Sequence, residues 1–177
     1  MIVEWFIAAA AAAQLPAPAC PIERAVYRLQ GAPAFTAGFA RQDRRKAHGS
    51  DLSFWLRTPK RTYWFSFGSP NGYGGTYIAP DTDPRRSAAA PEPTELPEPP
   101  KGEEPLLIQF DAFARDLKAF DSPPQAANWA PALIFSRGLG PALWYSSVAL
   151  AGGDEKAEQE SMPIGLFQPA GCSGPPR

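Results

Sequence analysis

The stretch DLSFWLRTPKRTYWFSFG, residues 51–68, decides the fold. In its first half Leu52, Phe54 and Leu56 alternate with other positions; in its second Tyr63, Phe65 and Phe67 do the same. Period-two alternation puts each trio on one face of a half-buried strand. The link between them, Thr58-Pro59-Lys60-Arg61, is rich in turn-compatible residues, so the two runs predict an antiparallel hairpin. Trp55 and Trp64 fall out of phase with the trios and are expected on the opposite face.

Working outward, other segments read the same way. AVYRL (25–29) and FTAGFARQ (35–42) are short apolar runs separated by Gly31 and Pro33. SPNGYGGTYIAP (69–80) carries Asn71-Gly72, a tight-turn dipeptide, and Tyr77-Ile78 begins a further strand. PLLIQF (105–110), ALIFS (132–136), ALWYSSVAL (142–150) and MPIGLFQPAGC (162–172) complete the β-like series, with Gly138-Leu139-Gly140-Pro141 as a turn. One segment has a different period. Phe110, Phe113, Leu117 and Phe120 are spaced as a helical stripe, Asp111 and Arg115 form an i,i+4 pair, and Pro123-Pro124 provide a stop. The spacing predicts an amphipathic helix over about residues 111–120. The fold class expected is therefore mainly β (α+β): a single antiparallel β domain with that one helix and a disordered Pro-rich insertion.

The composition agrees. The chain has 177 residues and 22 prolines. A Pro content of about 12% against a usual ~5% argues against long helices and helical repeats. Eight of the prolines lie in residues 80–105, PDTDPRRSAAAPEPTELPEPPKGEEP, which have almost no large apolar side chains. Such a stretch buries too little surface to offset the entropy of ordering, so residues 81–105 are expected to be a flexible, partly polyproline-II insertion.

The two ends suggest a compartment. Residues 1–19, MIVEWFIAAAAAAQLPAPA, begin with an apolar run of signal-peptide length, too short to span a bilayer. Ala11 with Ala13, or Ala17 with Ala19, offer small-residue cleavage sites, although the run lacks a basic start and carries Glu4. The expected organisation is a cleaved signal at 1–19, one domain over 20–172 and a tail at 173–177, with no membrane span in the mature chain. Only two cysteines are present, Cys20 and Cys172. In an oxidising space they can tie the domain's ends together. The alternatives are two free thiols, or lipidation of Cys20, since Ala19-Cys20 has the small-residue-then-Cys end of a lipoprotein signal.

Little in the chain points to catalysis. One His and two distant Cys make a Cys/His metal cluster implausible, and neither a phosphate loop nor a calcium loop appears, so no metal or cofactor is expected. His48 sits in the polar stretch RRKAHGSD and reads as a loop histidine. Asp51, Asp111, Asp116 and Asp121 could serve a carboxylate-dependent hydrolase only if two of them converge in space.

Two surface features are candidates for binding. Trp55, Trp64, Tyr73 and Tyr77 lie in neighbouring β segments and could stack on a sugar or a partner, or pack as a second core layer. Arg41, Arg44, Arg45, Lys46, Lys60 and Arg61 form a basic cluster able to attract anions or to face acidic residues of the same chain. A net charge of -1 gives no overall pull towards nucleic acid. The expectation is an exported, periplasmic or secreted bacterial-type protein with a non-enzymatic binding or structural role in the cell envelope. Its partner is an envelope protein or a polysaccharide. The alternatives are a small carboxylate-dependent hydrolase and a lipid-anchored lipoprotein.

Overall fold

In the computed structural model, which describes residues 20–42, 49–70, 75–87 and 105–176, the hairpin of residues 52–68 forms as β3 (Leu52–Arg57) and β4 (Thr62–Gly68). Phe54 pairs with Phe65 and Trp55 with Trp64. Thr58 makes the turn: its hydroxyl accepts the Lys60 and Arg61 amides, and its own amide donates to the Arg61 carbonyl. A side-chain cap of this kind fixes the register of the hairpin.

The sheet grows from both sides of this hairpin. On one side lie β2 (Ala32–Arg41), β1 (Val26–Leu29), β9 (Leu166–Gly171), β8 (Leu133–Phe135) and β7 (Asp111–Phe113). On the other are β5 (Tyr77–Asp81) and β6 (Ile108–Gln109). The order is β6-β5-β4-β3-β2-β1-β9-β8-β7, with antiparallel pairing at each step. The two end strands, β6 and β7, are separated in the chain by Phe110 alone. One extended stretch thus pairs with β5 through its first half and with β8 through its second, and the sheet curls into a nearly closed barrel. The Phe110 amide continues the ladder by donating to the Thr76 carbonyl.

The interior is packed with rings. Phe39 touches Tyr27, Phe54, Phe67 and Phe110, with centroids 6.0–6.4 Å apart, and Phe110 stands edge-on to Phe54 and Phe67 at 5.1 Å. Edge-to-face pairs contribute roughly 0.5–1.5 kcal/mol each beyond their burial. The side chains of the described strands fill this interior, as is usual for a small barrel.

Trp55 and Trp64 point to the outer face, as their phase requires, and form a second buried layer with Ala40 and Val26. Trp55 Nε1 donates to the Phe39 carbonyl at 3.3 Å. Gly38 lies opposite Trp55, where a Cβ would sit 2.7 Å from the indole and 2.6 Å from the Ala25 carbonyl. No side chain but hydrogen fits there.

The helix expected over 111–120 does not form. Residues 111–113 are β7, and the chain then turns back in a tight hairpin whose amides link Ala114 with Lys118 and Phe120 with Ala112. Leu117 takes φ 64° at the turn, outside helical space. The 3-4-3 spacing was misleading because Phe110 is buried on the extended link between β6 and β7 and Phe113 ends β7, while Leu117 is 60% exposed at the hairpin tip. Non-local pairing to β8 overrides the local period.

The reverse error occurs at 142–150, expected as a strand. Leu139–Tyr145 is helix α2 and Ser147–Leu150 helix α3, after the single helical turn α1 (Pro84–Ser87). Of the expected flexible insertion, Asp81 closes β5, α1 follows, and residues 88–104 lie outside the described residues. The expected signal segment, residues 1–19, lies outside them too. Among the described residues no helix is long and apolar enough to cross a membrane.

Candidate functional site: an apolar groove at the barrel seam

The seam where β6 and β8 diverge is covered by α2. Three local features hold the helix there. Ser136 Oγ donates to the Gln109 carbonyl at 2.6 Å, anchoring the approach to the helix. Gly138 lets the backbone come close to β6, since a Cβ would meet Ile108 Cγ2 at 2.9 Å. Leu139, Ala142 and Leu143 then bury one helical stripe in the core, with Pro141 in the first turn, where its missing N–H costs nothing.

The opposite stripe faces out. Tyr145 is 83% exposed, and Trp144 and Val148 are exposed beside it. Across from it, Leu107 is 51% exposed. Between these walls runs an open groove of about 440 Å³. Residues 106–109 form one side and Pro141, Ala142 and Tyr145 the other. Arg137 is the only charged side chain in the lining. It is exposed and makes no ion pair among the described residues. A mostly apolar concavity of a few hundred Å³ with a few polar groups is the usual form of a small-molecule site. Sequence reading took 142–150 for a strand and so missed this groove; Pro141 at the start of the run was the one local sign of a helix.

The residues singled out from sequence lie elsewhere. Trp55 and Trp64 are only 2% and 7% exposed. The Arg85 guanidinium lies 5.1 Å from the Trp64 ring centroid. Arg85 also donates to the Pro176 carbonyl at 2.6 Å, tying the C-terminal tail to the same face. Tyr77 lies over Gly68, where a Cβ would overlap its ring. Tyr73 lies outside the described residues.

Of the basic cluster, Arg41 is exposed at the end of β2, while Arg44, Arg45 and Lys46 lie outside the described residues, as does His48. Lys60 and Arg61 are brought together at the β3–β4 turn, where each meets an acid of the 154–160 loop. Lys60 Nζ is 2.5 Å from Glu158, and Arg61 Nη1 is 3.3 Å from Asp154. Contact with Lys60 holds the Glu158 carboxyl below its usual range. These two cations therefore have intramolecular counterions.

Behind them lies a buried polar knot. Glu160 Oε1 accepts from Tyr63 Oη at 3.0 Å and lies 2.9 Å from Thr58 Oγ1. Burial, and then the neighbouring Glu160, push the Tyr63 phenol well above its ordinary value, against a small opposing effect of Arg61. The knot locks the loop to the barrel end.

The carboxylates weighed for hydrolysis have local bonds. Asp51 accepts the Ala126 amide at 2.7 Å, Asp111 accepts from Gln109, and Asp116 caps Lys118. Asp121 is exposed. Among the described residues no three His, Cys, Asp or Glu side chains gather to hold a metal.

Cys20 and Cys172 are joined in a disulfide, Cα to Cα 6.1 Å. The bond uses the Cys20 sulfur, so a lipid anchor on that thiol does not fit. Next to it, the Gly174 amide donates to the Arg24 carbonyl at 3.0 Å. Compared with protein-family models, with curated proteins and with solved structures, the chain matches none.

Proposed function

We propose that this protein is an exported, non-enzymatic binding protein of the cell envelope that works through the seam groove. The disulfide between its only two cysteines carries the reading of compartment, because such bonds form and persist in oxidising spaces. The groove supports the binding role: among the described residues it is an apolar concavity with an exposed, unpaired cation at its lining, whereas Trp55 and Trp64 are buried.

The test is expression of the whole chain in a Gram-negative host, with fractionation and intact-mass analysis. The expected product is periplasmic or secreted, lacks the N-terminal segment up to a small residue near Ala19, and has the mass of a disulfide. A cytosolic, reduced product that retains Met1 would refute the proposal.

A further inference from the structure

We infer that the groove takes a single-chain amphiphilic anion, with its hydrocarbon chain between Leu107 and Tyr145 and its carboxylate or phosphate head at the Arg137 guanidinium. This rests on the groove being the binding surface, and it adds the ligand class.

Charge sets the first constraint. Residues 138–153, which supply the helical wall, contain no Asp, Glu, Lys or Arg. No residue of 105–109 is charged either. Arg137 is thus the one charged residue lining an apolar trough. Asp111, the first acid beyond residues 105–109, accepts from Gln109 and makes no ion pair with Arg137, so charge complementarity favours an anionic group at that point. Gln109 and Ser146 also line the groove and add hydrogen-bonding capacity.

Shape sets the second. Arg137 precedes α2 and Tyr145 ends it, so the cation and the aromatic wall stand roughly 12 Å apart along the helix. Head and tail are thereby separated along one axis. An exposed tyrosine and leucine on facing walls suit a flexible alkyl chain, which needs no specific partners along its length. A sugar would leave its hydroxyls against Leu106, Leu107 and Pro141 without partners.

The experiment titrates the oxidised full-length chain, labelled with ¹⁵N, with hexanoate, octanoate, decanoate, decyl phosphate and decan-1-ol below their micelle concentrations. Amide shifts are expected in residues 106–109 and 137–146. Affinity should rise about fourfold per added methylene until the chain outgrows the groove. Decanoate, decyl phosphate or both should bind roughly fivefold or more tightly than decanol; the stronger of the two identifies the head group.

Arg137→Gln should erase that preference and leave decanol affinity unchanged. Leu107→Glu, at an exposed site that should not disturb folding, should weaken every ligand. Shifts confined to other residues, no dependence on chain length, or equal binding of decanol and the anions would overturn the ligand class. If no amphiphile binds but an envelope polysaccharide, a lipid vesicle or a second copy of the chain shifts the same residues, the ligand class falls and the groove stands as a binding surface. If nothing shifts them, both fall.

Discussion

Replacing Cys20 and Cys172 together by Ser should lower stability by about 4 kcal/mol. The bridge spans a sequence separation of 152 residues, among the longest loops this chain could close. The chain-entropy relation gives ~17 cal/mol/K for a loop of that size, or ~5 kcal/mol at 25 °C, and measured bridges usually deliver about 2–4. The native state does not need the bond for its geometry. Strand β9 is held independently by pairing with β1, Tyr27 to Pro169 and Leu29 to Phe167, and with β8. The effect should therefore come mainly from the unfolded chain gaining freedom, with the native barrel unchanged.

Guanidinium unfolding followed by tryptophan fluorescence checks this in oxidised, reduced and double-Ser protein. For a chain of this size the loss corresponds to a drop in Tm of roughly 8–16 °C. Native-state hydrogen exchange should show local loosening at the Gly174 amide, whose bond to Arg24 lies next to the bridge, with Tyr27 and Leu29 still protected. A loss below about 1 kcal/mol would refute the entropic account. Loss of native fluorescence without denaturant would also refute it, because the bond would then be building the fold.

Three further outcomes follow from local geometry. Gly38→Ala should cost about 3 kcal/mol, since its methyl would press on the Ala25 carbonyl and the Trp55 ring, whereas Gly171→Ala, with open space around it, should stay within about 0.5–1 kcal/mol in the same denaturant assay. Leu117→Gly should raise stability by roughly 0.5–1 kcal/mol, because relief of a left-handed leucine outweighs the added freedom of glycine when unfolded; a lower urea midpoint would count against it. Tyr27 and Tyr63 both have phenols raised by burial, so their contribution is intact below the unfolded value of about 10 and is lost as pH rises towards the folded values. The unfolding free energy from urea titrations between about pH 9 and pH 11 should fall by up to ~1.4 kcal/mol per pH unit per tyrosine above 10, and Tyr63→Phe should shallow the slope.

The β2–β3–β4 core was legible because its inward positions alternate as large aromatic and aliphatic residues, although β3 and β4 are in fact buried on both faces. Trp55 and Trp64 were legible in direction for the same reason, but their burial was not, because it depends on Gly38, Ala40 and Arg85 arriving from other segments. The disulfide was readable from the placement of two lone cysteines. Residues 110–120 were misread because four apolar residues fit a helical stripe as well as they fit a strand followed by a hairpin. What decides is β8, some 20 residues away in sequence, whose edge the segment completes. Residues 139–150 failed in the opposite sense: two helices of seven and four residues are too short to show a period. The groove disappeared with them, since one of its walls is α2.

The location of that groove follows from how the barrel closes. A continuous strand would have to pair with β5 and β8 along its whole length; here one stretch serves both in turn, β6 for two residues and β7 for three. The seam left between them exposes apolar surface that the barrel cannot cover with strand. A short helix can cover it only if one face is apolar enough to dock and the backbone can come close, which Gly138 and the Leu139–Leu143 stripe provide. The cover is incomplete: Leu107 is half exposed and Tyr145 mostly exposed. Large apolar side chains kept exposed beside a lone arginine serve recognition better than stability. Among the described residues, the seam is thus where closure of the fold leaves an apolar trough with a cation at its edge.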